Sequence, residues 1–361
     1  MTIHSTAAGL DGVVAAATAL SHVEGEKGEL VIAGERVGDL AARHSFEAVT
    51  ARLWSLASPE AAGEAEAGAL LGQARLRAFR RLPSILGVTD GMPIVAGFRA
   101  ALAALEPETG LPDEAMLVGA MPTIAAALVR QSRGEAALEP DPSAGHAGDM
   151  LRMLRGRPAS PAEARALDAY LVTVSDHGMN ASTFAARVVA STQADLFMAV
   201  TAAYCALTGP LHGGAPEPVL DMLDAIGRRE RIAPWIDAAL AQGARLMGFG
   251  HRIYRVRDPR ADVLRGAVAT LGSNSADLGF AAEVEEYARE ALARARPDRA
   301  LDTNVEFYTA ILLDALRIPR QAFTPVFAAA RAAGWTAHAL EQRRSGRLMR
   351  PASTYTGTMP P

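Results

Sequence analysis

Three histidines stand in turns where the neighbouring side chains are small. His177 lies in "VSDHGMNASTF", His212 in "TGPLHGGAPE" and His251 in "MGFGHRIYRVRDPR", each beside or next but one to glycine. An imidazole so placed is either a satisfied structural residue, singly the commoner case, or a ring that another molecule must approach closely. The three are 35 and 39 residues apart, with no paired Cys or His at metal-ligand spacing, so no metal site is expected. "GFGHRI" is an incomplete dinucleotide fingerprint with no strand before it, a weak signal. Arginines add a second pattern. Arg260 follows His251 by nine residues, Arg331 interrupts the apolar run "FAAARAAGW", and Arg350 lies in "GRLMRPASTYTG". A buried guanidinium is costly without an anion, so Arg331 needs a carboxylate, from the protein or from a ligand with about even weight. Three such cations beside three histidines suit a small dicarboxylate or tricarboxylate. Glu306, in "TNVEFYTAILL", falls in the first turn of a helix, where the dipole favours its ionised form while Val305 and Phe307 push its pKa up. It is a candidate general base, set against the commoner reading of a simple dipole partner.

The elements that must position these groups read as almost entirely helical. In "EPVLDMLDAIGRR", Val219, Leu220, Leu223 and Ile226 share one helical face, with Pro218 in the first turn. "ADLFMAVTAAYCAL" and "VEFYTAILLDAL" repeat the period, the second with Asn304 as N-cap. "ELVIAG", residues 29–34, is the best strand and predicts a small hairpin. Loops are expected over residues 57–68, 138–149 and 157–163, which are rich in Gly, Pro, Ser and Asp.

Composition narrows the function. The 361 residues are 50% hydrophobic and only 5% aromatic, which favours closely packed helices in one large domain or two unequal ones. A net charge of −4 argues against nucleic acid as a partner. Cys205 is the only cysteine and, lying in an apolar helical run, is expected to be a buried small hydrophobe. Lys27 is the only lysine and is followed by glycine, which removes P-loop and Schiff-base chemistry. A phosphate-bearing ligand would therefore be held by arginines and backbone N–H groups. The N-terminus lacks a basic segment and no apolar run reaches spanning length, so a cytoplasmic location without a membrane partner is expected.

Taken in order, "GPLHGGAPE", "GFGHRIYRVRDPRAD", "NVEFYTAILL", "FTPVFAAARAAGWTAHALEQ" and "RPASTYTG" resemble the motifs of the citrate synthase family. "DHGMNASTFAARVVAST" resembles its oxaloacetate-side histidine segment, and "GLDGVVAAATALSHVEGEKGELVIAGERVGDLA" its N-terminal segment. The resemblance implies an all-α citrate synthase fold with a short N-terminal β-hairpin. Residues 1–215 and 317–361 would form a large domain, and 216–316 a smaller mobile one that closes over the cleft. It implies condensation of acetyl-CoA with oxaloacetate and water to citrate and CoA, with acetyl-CoA as substrate and no cofactor. His212 would bind the thioester oxygen, Glu306 would take the methyl proton and His251 would polarise the oxaloacetate carbonyl. His177, Arg260, Arg331 and Arg350 would hold the carboxylates, Arg350 reaching into the other site of a homodimer. The CoA loop would be Leu246, Met247, Gly248, Phe249 and Gly250. The helix starting near Pro218 is expected to help keep His212 neutral, as a helix N-terminus does for the active-site imidazole of triosephosphate isomerase.

Three positions depart from the family pattern. Glu306 stands where most members carry Asp, Pro216 replaces Asn in "HGGANE", and Gly178 replaces Glu in "HEFNAS". A carboxylate one methylene longer shifts by more than ~1 Å, worth on the order of 10²-fold in rate unless the backbone withdraws. Two alternatives stay open at this point: a 2-methylcitrate synthase using propionyl-CoA, since one methylene is worth only ~1–3 kcal/mol, and a non-catalytic tricarboxylate- or CoA-binding paralogue. A metal-dependent hydrolase, suggested by the three histidines alone, is the weakest reading.

Overall fold

Helix ends and small side chains dictate most of the architecture. The computed structural model describes Leu10 and residues 12–61, 63–212, 216–272 and 278–360. The chain opens with an antiparallel sheet of β1 (Ser21–Glu24), β2 (Glu29–Ile32) and β3 (Glu35–Arg36), in that order. The expected hairpin is present, and the third short strand extends it.

Helices follow as α1 (Val37–Arg43), α2 (Phe46–Ala57), α3 (Glu64–Thr89), α4 (Ile94–Ala103) and α5 (Asp113–Ser132). Next come α6 (His146–Arg155), α7 (Pro161–Val174), α8 (Ala181–Ser191) and α9 (Leu196–Leu207). The remainder comprises α10 (Glu217–Ile226), α11 (Ile232–Ala241), α12 (Pro259–Ala269), α13 (Leu278–Ala295), α14 (Val305–Ala315) and α15 (Phe323–Ser345). The three expected loops are shorter than their composition implied. α3 begins at Glu64, α6 at His146 and α7 at Pro161. Polar residues that look like loop are helix starts: Ser160 and Glu163 form a reciprocal capping box with Pro161 behind the cap.

The core forms around α15, which is buried on nearly every side and packs against α2, α5, α7, α8 and α9. α3 and α5 approach each other closely. A methyl group on Gly119 would collide with the Ala74 Cβ and lie 2.8 Å from the Leu71 carbonyl oxygen. α5 also corrects the expectation that no run reaches spanning length. Its 20 residues are long and apolar enough to cross a membrane, but 83% of that stretch is buried within the protein, as in a core helix. Cys205 is exposed, not buried. α9 buries Val200, Ala203, Tyr204 and Leu207, and Cys205 shares the opposite stripe with Met198, seven residues away.

Candidate active site

The His177 turn joins α7 to α8. Asn180 caps α8, its side chain accepting the Thr183 N–H at 3.1 Å, and Gly178 takes the left-handed φ of +59° that the turn requires. His177 is buried, with Nε2 3.1 Å from the Tyr254 hydroxyl. Its ring meets those of His251 and Tyr254 edge-on, with centroids 5.7 and 5.6 Å apart. Burial, then Arg260 and Arg331, hold its pKa well below the usual histidine value.

His251 is fixed by its own loop. Its Nδ1 accepts the backbone N–H groups of Ile253 (3.0 Å) and Tyr254 (3.1 Å), so the ring proton belongs on Nε2. Burial, then Arg260, lowers its pKa to about 4. Arg260 is held by Asp258, Nε to Oδ1 at 3.0 Å and Nη2 to Oδ2 at 2.8 Å. The same carboxylate caps α12 through the Arg260 N–H and accepts the Val305 N–H of α14 at 3.1 Å. The Nη2 of Arg260 lies 3.4 Å from the His251 Nε2. With the proton on Nε2, two donors face one point, an arrangement that suits an acceptor oxygen between them.

His212 is held by a helix start other than the one next to it in sequence. Its Nε2 accepts the backbone N–H of Ser182 at 3.1 Å, within the first turn of α8, and lies 2.9 Å from the Ser182 hydroxyl. The Trp335 indole N–H donates to that hydroxyl at 3.1 Å. The positive end of α8 therefore faces the ring. Burial, then Arg331, lowers its pKa to about 4, and the ring N–H is left on Nδ1. Gly213, Gly214 and Ala215 lie outside the described residues.

Glu306 is half-buried in the first turn of α14, where Asn304 acts as the expected cap and accepts the Glu306 N–H at 2.9 Å. Burial outweighs the nearby Arg245 and Arg260 and raises its pKa to about 7. Arg331 is buried on α15. Its Nε donates to the Val174 carbonyl at the end of α7 (2.6 Å), and its guanidinium sits 4.8 Å over the Phe327 ring. Burial lowers its pKa to about 10. Among the described residues no carboxylate lies within 4.0 Å of it, which favours the ligand over the internal ion pair.

One cavity of about 900 Å³ is lined by His177, His212, His251, Arg260, Glu306 and Arg331 together, with Asn180, Phe184, Thr309 and Phe327 filling its walls. Arg350 is not among its lining; it is exposed in the extended segment after α15. The 246–250 segment is not in the lining either. The Gly248 carbonyl accepts the Asn304 N–H (2.9 Å), the Gly250 carbonyl accepts the Asn304 side-chain amide (2.8 Å), and the Phe249 ring packs at a tilt against Phe307. The segment braces the turn that carries Glu306. Sequence reasoning missed Tyr254, Asp258 and Ser182 as site residues. "DP" at 258–259 was a readable helix-start signal, whereas nothing local marks the contact of Ser182 with a ring 30 residues away.

The fold and site define a helical enzyme with a cationic, histidine-lined pocket for a small anionic substrate. The profile described as "Citrate synthase, C-terminal domain" matches residues 9–352. A citrate synthase of Haloferax volcanii is 38% identical over 97% of this chain and 95% of its own. Among solved structures, citrate synthase of Thermotoga maritima is 30% identical with a TM-score of 0.83, covering 98% of this chain and 96% of its own. The Thermoplasma acidophilum enzyme, solved as a ternary complex with carboxymethyl coenzyme A and oxaloacetate, has a TM-score of 0.87 at 28% identity, covering 99% and 97%. This chain belongs to the citrate synthase family. It is an acyltransferase of that type, condensing acetyl-CoA with oxaloacetate and water to give citrate and CoA.

Proposed function

We propose that the pocket works by placing two neutral, oppositely tautomeric histidines on either side of a desolvated carboxylate. The observation that carries this is the backbone fixing of both rings: Ser182 leaves His212 with its N–H on Nδ1, while Ile253 and Tyr254 leave His251 with its N–H on Nε2. His212 donates to the thioester oxygen of acetyl-CoA while Glu306 takes a methyl proton. The enolate charge thus forms against a donor already in place. The new carbon–carbon bond joins that methyl carbon to the oxaloacetate carbonyl carbon, whose oxygen takes the proton of His251; the proton held by Glu306 then makes good the one the ring gave, so both groups return to their starting state. Arg260 and Arg331 pair with the carboxylates and His177 orients them. Water then hydrolyses the citryl thioester, releasing CoA.

At longer range, residues 216–316 move as a smaller domain against 1–215 and 317–361 and exclude water on closing. Arg350 of the partner subunit completes the carboxylate pocket in a homodimer; the exposure of this residue in its own chain supports that assignment. The braced 246–250 segment lies beside the CoA path, and Arg255, exposed at the cavity wall, meets CoA phosphate. No cofactor beyond the substrates enters the scheme, and a chain with one cysteine suits the reducing cytoplasm. Glu306→Gln tests the mechanism. Thiol release from acetyl-CoA should fall on the order of 10²–10⁴-fold while oxaloacetate affinity by calorimetry is kept. Equal release from variant and parent would overturn it.

A further inference from the structure

The two loops that carry His177 and His251 are both fastened to the same N-terminal hairpin. Alternate residues of a strand share one face, and Ser21, Val23 and Gly25 follow that alternation through β1 into its turn. The Ser21 hydroxyl donates to Asp176, the residue before His177, and accepts the Gly178 N–H at 3.0 Å. Val23 covers the same turn: a methyl on Gly178 would sit 3.4 Å from the Val23 Cγ2. Further along, the Gly25 carbonyl accepts the Arg255 N–H at 3.0 Å. A methyl on Gly25 would collide with the Ile253 carbonyl oxygen, and one on Gly28 would lie 2.7 Å from the Val256 Cγ2. On β2, Leu30 and Ile32 are buried in the core and anchor the hairpin.

We propose that this hairpin is a strap that sets the spacing of the His177 turn and the His251 loop, with Ser21 and Gly25 as positioning residues for oxaloacetate. The proposal rests on the reading that those two histidines hold oxaloacetate. Neither Ser21 nor Gly25 lines the cavity, so each acts through the loop it fastens.

Steady-state kinetics and calorimetric binding of oxaloacetate to the full-length enzyme test it. Ser21→Ala and Gly25→Ala should each raise KM and Kd for oxaloacetate about tenfold with kcat less affected, as expected for misplaced binding groups. Ser21→Thr, which keeps the hydroxyl, should restore binding. The double variant should be no worse than the poorer single one, because releasing either end frees the strap, whereas independent sites would add. Variants that lose thermal stability but bind oxaloacetate as the parent does, or that add independently, would overturn the strap. Ser21→Ala covers the case in which Gly25→Ala fails to fold. His177→Ala and His251→Ala serve as the reference: if they lose oxaloacetate while the strap variants keep it, the strap alone fails. If they too keep it, the reading of the site fails and takes the strap with it.

Discussion

Glu306 shows how one side chain acquires a working pKa. Removal from water raises it to about 7, and two arginines limit the rise. A protonated carboxyl cannot accept the methyl proton, so kcat/KM for acetyl-CoA should fall tenfold per unit below about pH 7 and level off above it. His212 and His251, with pKa values lowered to about 4, stay neutral across that window and add no second limb. An acidic limb centred near 4 in a pH-rate profile would contradict the burial of Glu306. Shortening the reach by Glu306→Asp should lower kcat on the order of 10²-fold, since removing a methylene draws the carboxylate back by about 1 Å. The six side chains that the cavity gathers are candidates in the sequence: three imidazoles beside glycine, Glu306 and Arg331 among apolar neighbours, and Arg260 nine residues after His251. Their tautomers are not legible there. These depend on the N–H of Ser182, which reaches His212 only after folding, and on the turn made by Ile253 and Tyr254.

Among the elements, caps are readable and packing partners are not. Asn304 before an apolar period announces α14, and "SPAE" conceals the start of α7 inside what composition marks as loop. Proximity in sequence points to Pro218 and α10 as the helix start near His212, and tertiary packing adds α8, which no local signal announces. The start of α2 gives a test of such contacts. Asp168 on α7 accepts the Phe46 N–H at 3.0 Å, and burial, with Glu47 nearby, raises its pKa to about 7. A carboxyl raised in the folded state adds stability at low pH that is lost as pH climbs through about 7. Asp168→Asn should therefore raise the thermal midpoint relative to the parent more at pH 8 than at pH 5. The α3–α5 contact gives another. Gly119→Ala inserts a methyl where no room exists and should cost about 1–3 kcal/mol in denaturant unfolding, with substrate affinities unchanged.

For the whole molecule, the exposed Arg350 makes a prediction that no single subunit can satisfy. With Arg350 proposed to complete the partner's site, a hybrid of Arg350→Ala and Glu306→Gln chains would regain a full set of residues in one of its two sites and lose two in the other. Mixing the two impaired variants under exchange conditions should restore thiol release, and failure to do so despite hybrid formation would place Arg350 outside the neighbouring site. α15 ties the molecule together at a deeper level. Arg331 faces the pocket, Gly334 lets the helix touch the His177 turn (a methyl there would lie 2.5 Å from the Ser175 carbonyl), and Trp335 steadies Ser182. His338 reaches Asp176 at 3.2 Å, and Arg187 of α8 binds His338, Glu341 and Gln342. These contacts recur every three or four residues along one stripe. Because each residue turns a helix by about 100°, inserting or deleting one amino acid between 331 and 342 would swing the later contacts away from the earlier ones. Evolution can therefore lengthen or trim this helix at its ends, but its middle behaves as a fixed ruler along which drift is confined to substitution.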